Sequence, residues 1–319
     1  MMGSAFGKVI LLGEHAVVYG VPAIVLGIER GATARVTTAP LVRGHAVSEL
    51  VLSDTLRVTP DDESDVARAF AALLVACNVD VPLRVDVTTD LPAAAGLGCS
   101  AALGVAIVRA LDAWHGRPRA GACETTERAM AWEKIFHGNP SGIDAAAASR
   151  GGCLLYQRMD GGNHLKEIRL GGPLTLAIGH TGIPSSTRAM VDHVGRLRAR
   201  RSESVTQSFE AIRSLVSNAR LAIEAHDLVG LGRLMDLNQM LLSGLHVSTE
   251  EIETMCRLAR ESGALGAKLT GSGGGGCVVA LTEGNADGIL ERWETEGFRA
   301  FQAKVSGAPV ETTERSEAP

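Results

Sequence analysis

Residues 92–102 read PAAAGLGCSAA, and their setting decides the fold class. Just upstream, Leu83, Val85 and Val87 alternate with Arg84, Asp86 and Thr88, the two-residue period of a half-buried strand. Just downstream, residues 101–111 form an apolar run of helical length. A glycine-rich turn between a strand and a helix aims several backbone N–H groups at one point, and the helix dipole adds positive potential there. The segment predicts a phosphate cradle, and with it a nucleotide-using enzyme. It is not a Walker-type loop, because no GxxxxGK[ST] occurs in the chain. Gly96, Gly98 and Ala101 satisfy GxGxxG/A, yet a dinucleotide fold wants an acidic residue about 20 positions on, and Asp112 comes too early. Ser100 puts a hydroxyl at the helix start, a group able to ligate the Mg²⁺ that travels with ATP.

Two further glycine segments flank this one: GKVILLGEHAVVYG at 7–20 and KLTGSGGGG at 268–276. The second lies between strand-like runs at 264–270 and 277–282, where consecutive glycines mean close backbone approach or positive φ. It predicts a loop that closes on a ligand. Lys8 opens a strand-like run ahead of Gly13-Glu14-His15. Glu133 ends a helical segment, and Asp144 closes GNPSGID at 138–144. Singly, each has an ordinary reading: a solvated lysine, a satisfied core histidine, a surface helix carboxylate, a helix N-cap. Only five lysines occur (Lys8, Lys134, Lys166, Lys268 and Lys304), so one inside a motif is less expected by chance. Jointly they supply what phosphoryl transfer needs: a phosphate cradle, a metal ligand, a cation and a carboxylate facing the acceptor.

The bulk numbers agree with an enzyme of this kind. A length of 319 residues favours two domains. Aromatics are 3% of the chain, so the core must rest on Leu, Val, Ile and Ala. A net charge of −5 argues against nucleic-acid binding, which wants a basic face. No run reaches the ~18 apolar residues of a membrane helix, and no secretory leader is expected. The six cysteines (Cys77, Cys99, Cys123, Cys153, Cys256 and Cys277) form no CxxC pair and read as reduced thiols of a cytoplasmic protein.

Strands are expected at 8–12, 22–28, 31–38, 152–157, 174–180, 264–270, 277–282 and 298–305. Helices are expected at 61–76, 124–136 with Thr125 or Thr126 as cap, most of 185–262 with breaks near 227 and 243–248, and 285–296. This mixture without strict βαβ alternation indicates α+β. A domain boundary is expected near Gly171-Gly172-Pro173, giving 1–170 and 171–306, and the polar tail 307–319 is expected to be disordered.

With these residues assembled, the chain resembles the GHMP small-molecule kinases. GKVILLGEHAVVYGVPAI, DLPAAAGLGCSAA and KLTGSGGGGCVVAL look like the family's three motifs, in order, and EKIFHGNPSGIDAAAA and TGIPSSTRAMV look like its catalytic and acceptor segments. The resemblance implies an N-terminal domain like ribosomal protein S5, a ferredoxin-like C-terminal domain, and ATP and acceptor in the cleft between them. The GEHAVV segment is most similar to the branch that phosphorylates the C5 hydroxyl of mevalonate with ATP and Mg²⁺, an early step of isoprenoid synthesis. Asp144 then matches the catalytic base and Lys8 the lysine that pairs with it. Ser100 and Glu133 match the Mg²⁺ ligands. Pro92, Gly96, Leu97, Gly98, Cys99, Ser100, Ala101 and Ala102 match the loop around the triphosphate. Glu14, His15 and Thr187 match the acceptor side, and Gly273, Gly274 and Gly275 the third-motif loop beside it. A homodimer is an expectation from the family alone.

Other members of the family (phosphomevalonate, galactose or homoserine kinases) would share the loops, and a ligand sensor without catalysis could share the fold. Intact Lys8, Ser100, Glu133 and Asp144 argue against a sensor, which needs no base. One position departs from the family pattern: Cys99 stands where the loop usually carries serine. Backbone amides and a helix N-terminus favour an anion there, so the thiol is expected to be more acidic than a free cysteine. The alternative is a small residue standing in for serine.

Overall fold

The computed structural model describes residues 1–39, 41–42, 45–53, 55–92, 95–117, 120–138, 140–159 and 162–305. The first half runs β1 (Met2–Leu12), a 3-10 turn (Ala16–Tyr19), β2 (Ala23–Thr38), β3 (Leu41–Val42), β4 (His45–Ala46), β5 (Glu49–Leu52), β6 (Leu56–Val58), α1 (Asp65–Ala76), β7 (Leu83–Thr89), α2 (Cys99–Trp114), α3 (Ala122–His137), α4 (Ile143–Arg150), β8 (Cys153–Met159) and β9 (Gly162–Glu167). The second half runs β10 (Leu174–His180), α5 (Thr187–Arg200), α6 (Ser202–Glu224), α7 (Leu228–Gly244), α8 (Glu250–Glu261), β11 (Gly266–Thr270), β12 (Cys277–Thr282), α9 (Asp287–Thr295) and β13 (Arg299–Val305).

Among the described residues, seven strands of the first half form one sheet, ordered β6-β5-β7-β2-β8-β9 with β1 on β2. β2 is its spine. One edge pairs with β1, while the other pairs with β8 over Ala23–Leu26 and with β7 over Ala32–Thr38. The 22–28 and 31–38 runs, expected as two strands, are therefore one. Gly31 does not break it; a Cβ there would lie 1.8 Å from the carbonyl oxygen of Ala5, so the glycine marks a close approach beside the β1 bulge at Phe6–Gly7. The second half builds an antiparallel four-stranded sheet, ordered β11-β12-β10-β13. We propose the domain boundary at 170/171, in the segment joining the two sheets. The expected tail at 307–319 lies outside the described residues.

α2 is buried along most of its length between the first sheet and α3, because apolar residues cover most of its surface and its buried Asp112 is ion-paired with Arg128 on α3. That fixes the position of its N-terminus. α1 begins four residues later than its periodicity suggests. The Ser64 hydroxyl accepts from Ala67 N (3.2 Å) and so caps the helix, while Thr59 N donates to Asp62 (2.6 Å) in the preceding turn. Neither Thr125 nor Thr126 caps α3. Both lie inside it, and the Thr126 hydroxyl donates back to Ala122 O (2.6 Å). Asp144 is likewise not a cap: Gly142 holds that position, leaving Asp144 in the first turn of α4. Among the described residues no helix is long and apolar enough to cross a membrane.

Candidate active site

A cavity of about 490 Å³ opens where β1, the N-terminus of α2, α4, α5 and the loop after β11 converge. Gly98 precedes α2 in a left-handed conformation (φ +73°), and no side chain caps the helix. The first N–H groups of α2 thus have no intrahelical partner and border the cavity. Lys8 lies across this loop. Its N–H donates to Leu97 O (2.9 Å), and a Cβ on Gly98 would sit 2.7 Å from its Cγ, so only glycine leaves room for the lysine stem. The buried stem carries the ammonium to Asp144, 3.2 Å away on α4.

Behind the loop, the Trp132 indole donates to the Ser100 hydroxyl (3.2 Å), which donates to the Glu133 carboxylate (2.6 Å). Glu133 is nearly fully buried. Burial pushes its carboxyl above the ordinary carboxylate range, and the Asp144 charge acts the same way, against the Ser100 bond and the His137 and Lys8 charges. His137 lies one turn further along α3, 3.8 Å from Glu133.

On the other wall, His15 has φ +59° and its Nε2–H donates to Ser272 O (2.8 Å). Burial holds this imidazole below its ordinary pKa, and the charge of His193 acts in the same direction. The Ser272 hydroxyl reaches Ser185 Oγ (2.9 Å) and donates to Thr187 Oγ1 (3.5 Å). Thr187 opens α5, which Ser186 caps. Glu14 is completely buried and ion-paired with Lys268, also completely buried. Burial drives the Glu14 carboxyl up and the Lys268 ammonium down, each against the pull of the other.

Residues 64–152 match the family model described as GHMP kinases N terminal domain, and residues 219–300 match that described as GHMP kinases C terminal. A mevalonate kinase of Aeropyrum pernix is 38% identical over 97% of this chain and 97% of its own length. The chain belongs to the GHMP kinase family. A mevalonate kinase of Methanothermobacter thermautotrophicus is 34% identical over 95% of this chain and 97% of its own. Among solved structures, L. major mevalonate kinase in complex with R-mevalonate is 30% identical, covers 96% of each chain and superposes with a TM-score of 0.85. The two-sheet α+β architecture is the GHMP kinase fold, and this GHMP kinase uses ATP.

The fold of this GHMP kinase brings Lys8, Glu14, His15, Gly96, Leu97, Gly98, Cys99, Ser100, Ala101, Glu133, Asp144, Thr187 and Gly275 to one cavity. Pro92, Ala102, Gly273 and Gly274 do not border it. Ala102 faces the core from the second half of the first helical turn. Gly273 packs on Val247 and Gly274 on Met190, so the third-motif loop meets protein as much as it meets the cavity. The cavity also takes in His137, Ser185 and Ser272, which the sequence did not single out. His137 had a legible signal, its four-residue spacing from Glu133 on one helix face. Ser272 had another, as the one side chain in a run of glycines.

Cys99 overturns an expectation. Its Sγ lies 3.9 Å from the Thr89 hydroxyl. Burial raises this thiol pKa, and the Asp90 charge adds to the effect, outweighing the Thr89 bond.

Proposed function

We propose that this chain transfers the γ-phosphoryl group of ATP to the C5 hydroxyl of mevalonate, giving 5-phosphomevalonate and ADP. The observation that carries the chemistry is the Lys8–Asp144 pair, 3.2 Å apart, at the wall of the cavity that the uncapped N-terminus of α2 also borders. The acceptor follows from full-length relatives that are mevalonate kinases.

Asp144 takes the proton of the hydroxyl whose oxygen attacks the γ-phosphorus, while the bond from that phosphorus to the β–γ bridging oxygen breaks. A carboxylate is a weak base, and it suffices where the transition state is loose and proton transfer comes late. Lys8 holds the carboxylate in place and balances negative charge on the oxygens in flight. The N–H groups of Gly98, Cys99 and Ser100 cradle the phosphates. His15, Ser185, Thr187 and Ser272 form the acceptor wall.

The residues present fit Mg²⁺. Ser100 and Glu133 offer hard oxygen donors 2.6 Å apart, and Glu133 and Asp144 repel each other across the same cavity, with Lys8 ion-paired to Asp144. Among the described residues no cluster of three or more His, Cys, Asp or Glu could ligate a metal. An all-protein cage is therefore not what this site offers. Mg²⁺ suits it, since that ion takes one or two protein oxygens and fills its shell with phosphate and water. Ser100 and Glu133 would hold it, and its charge would neutralise the phosphate oxygens.

The deciding experiment is ADP release measured with mevalonate, 5-phosphomevalonate, galactose and homoserine as acceptors. Mevalonate should exceed each of the others by about 100-fold or more in kcat/KM. A higher value for any of the other three would reject the assignment.

A further inference from the structure

The first and third motifs meet across the two halves of the molecule at every second residue of β11 and its following loop. Ile10 N donates to Thr270 Oγ1 (2.9 Å), and Thr270 Oγ1 donates to Ile10 O (3.0 Å). His15 Nε2–H donates to Ser272 O (2.8 Å). On the inner side, Lys268 Nζ donates to Glu14 Oε1 and to Leu269 O. Asn238 on α7 donates to Glu14 Oε2 (3.1 Å), and its own Oδ1 is buried without a partner. The neighbouring Gln239 accepts from Leu269 N (2.9 Å) and donates to Ser248 (3.0 Å) and Glu253 (2.9 Å).

Both carboxylate oxygens of Glu14 are thus engaged by the C-terminal half, although the residue borders the cavity. A buried ion pair adds little net stability over an apolar pair of the same shape. An apolar contact would tolerate sliding. A carboxylate held from two elements, facing an ammonium that also binds its own strand, tolerates one arrangement. That arrangement has a consequence on each side. Lys8 lies two residues before Ile10 on β1, and Ser272 lies four residues after Lys268 and contacts Thr187.

We propose that Glu14 and Lys268 are positioning residues, whose buried pair sets the acceptor wall of His15, Ser272 and Thr187 in register with Lys8 and Asp144. The proposal rests on mevalonate as the acceptor. Among the described residues, neither side chain hydrogen-bonds to the phosphate loop at 96–102, to Lys8 or to Asp144. The pair therefore governs acceptor binding and leaves ATP binding alone.

A double-mutant cycle on Glu14→Gln and Lys268→Met tests it, read by steady-state kinetics and by calorimetric binding of mevalonate without nucleotide. Each single variant should raise KM for mevalonate about tenfold or more while KM for ATP stays within about twofold. The double variant should be no worse than the worse single, because the two residues act as one unit. Lys268→Arg keeps the buried charge and serves if a single variant does not fold. Its planar fork does not fit the ammonium's place, so mevalonate KM should rise about threefold or more while KM for ATP stays within about twofold. Calorimetry should show the same loss of mevalonate affinity. Additive effects in the cycle, equal shifts in both KM values, or an unmoved mevalonate KM in Lys268→Arg would each overturn the proposal. A parent enzyme that does not phosphorylate mevalonate would overturn the functional reading instead.

Discussion

Lys8 and Asp144 form an ion pair of 3.2 Å in which the lysine is buried and the aspartate side chain keeps 35% of its surface exposed. The asymmetry is chemically useful. A buried cation cannot swing away, and a partly open carboxylate can still meet an incoming hydroxyl. Asp144→Asn preserves shape and removes the proton acceptor. Turnover should fall about 100-fold or more, the lower range of general acid–base contributions. ATP affinity, measured by nucleotide titration, should stay near the parent value. Near-normal kcat on mevalonate would exclude Asp144 as the base.

Glu133 and Ser100 make a second pair, joined by a 2.6 Å hydrogen bond beside the phosphate loop. Glu133→Gln should raise the Mg²⁺ concentration needed for half-maximal activity and lower kcat. Ser100→Ala should act the same way more mildly, since a neutral hydroxyl contributes less than a carboxylate to a hard cation. Mg²⁺ titration curves for Glu133→Gln that overlay the parent would show the metal lies elsewhere.

Much of this was legible because it is local. The strand at 277–282 and the strand at 174–180 have the bounds their apolar runs indicate. The break before α7 is legible in Asp227, whose carboxylate accepts from Gly230 N (2.8 Å). The small edge strands were not legible. β9 is GNHLKE, mostly exposed, and is a strand only because β8 supplies its partners. Similarly, β5 owes its place to parallel pairing with β7. The Glu14–Lys268 pair joins residues 254 positions apart, so no periodicity could reveal it. Lys268 opens the segment KLTGSGGGG, and nothing in that segment says what its ammonium meets.

His15 gives the enzyme a pH-dependent contribution to stability. Its folded-state pKa lies below the ordinary 6.5 because burial disfavours the charged ring. Below about pH 6.5 the unfolded chain therefore binds a proton that the folded chain refuses, and stability rises with pH across that window. The contribution is complete above the unfolded pKa and is lost as pH falls beneath it. His15→Gln keeps an N–H donor for Ser272 O and removes the titration. Between about pH 7.5 and 5.5, Tm should fall more steeply for the parent than for the variant. Parallel curves would mean that His15 titrates freely in the folded state.

The cysteines offer a last test of how burial competes with a helix N-terminus. Cys99 starts α2, where the dipole favours a thiolate, yet its Sγ packs toward Thr89 and burial pushes its pKa up. Cys123 is exposed, and the Arg150 guanidinium lies 2.8 Å from its sulfur. Open access favours alkylation, and partial burial works against it at Cys99. Brief treatment with iodoacetamide, followed by peptide mapping, should label Cys123 well before Cys99. Cys99→Ser restores the loop residue the family usually carries and should change neither kcat nor the rate of inactivation. Faster labelling at Cys99 that MgATP suppresses would mean that the dipole outweighs desolvation after all, with the sulfur turned into the phosphate cradle.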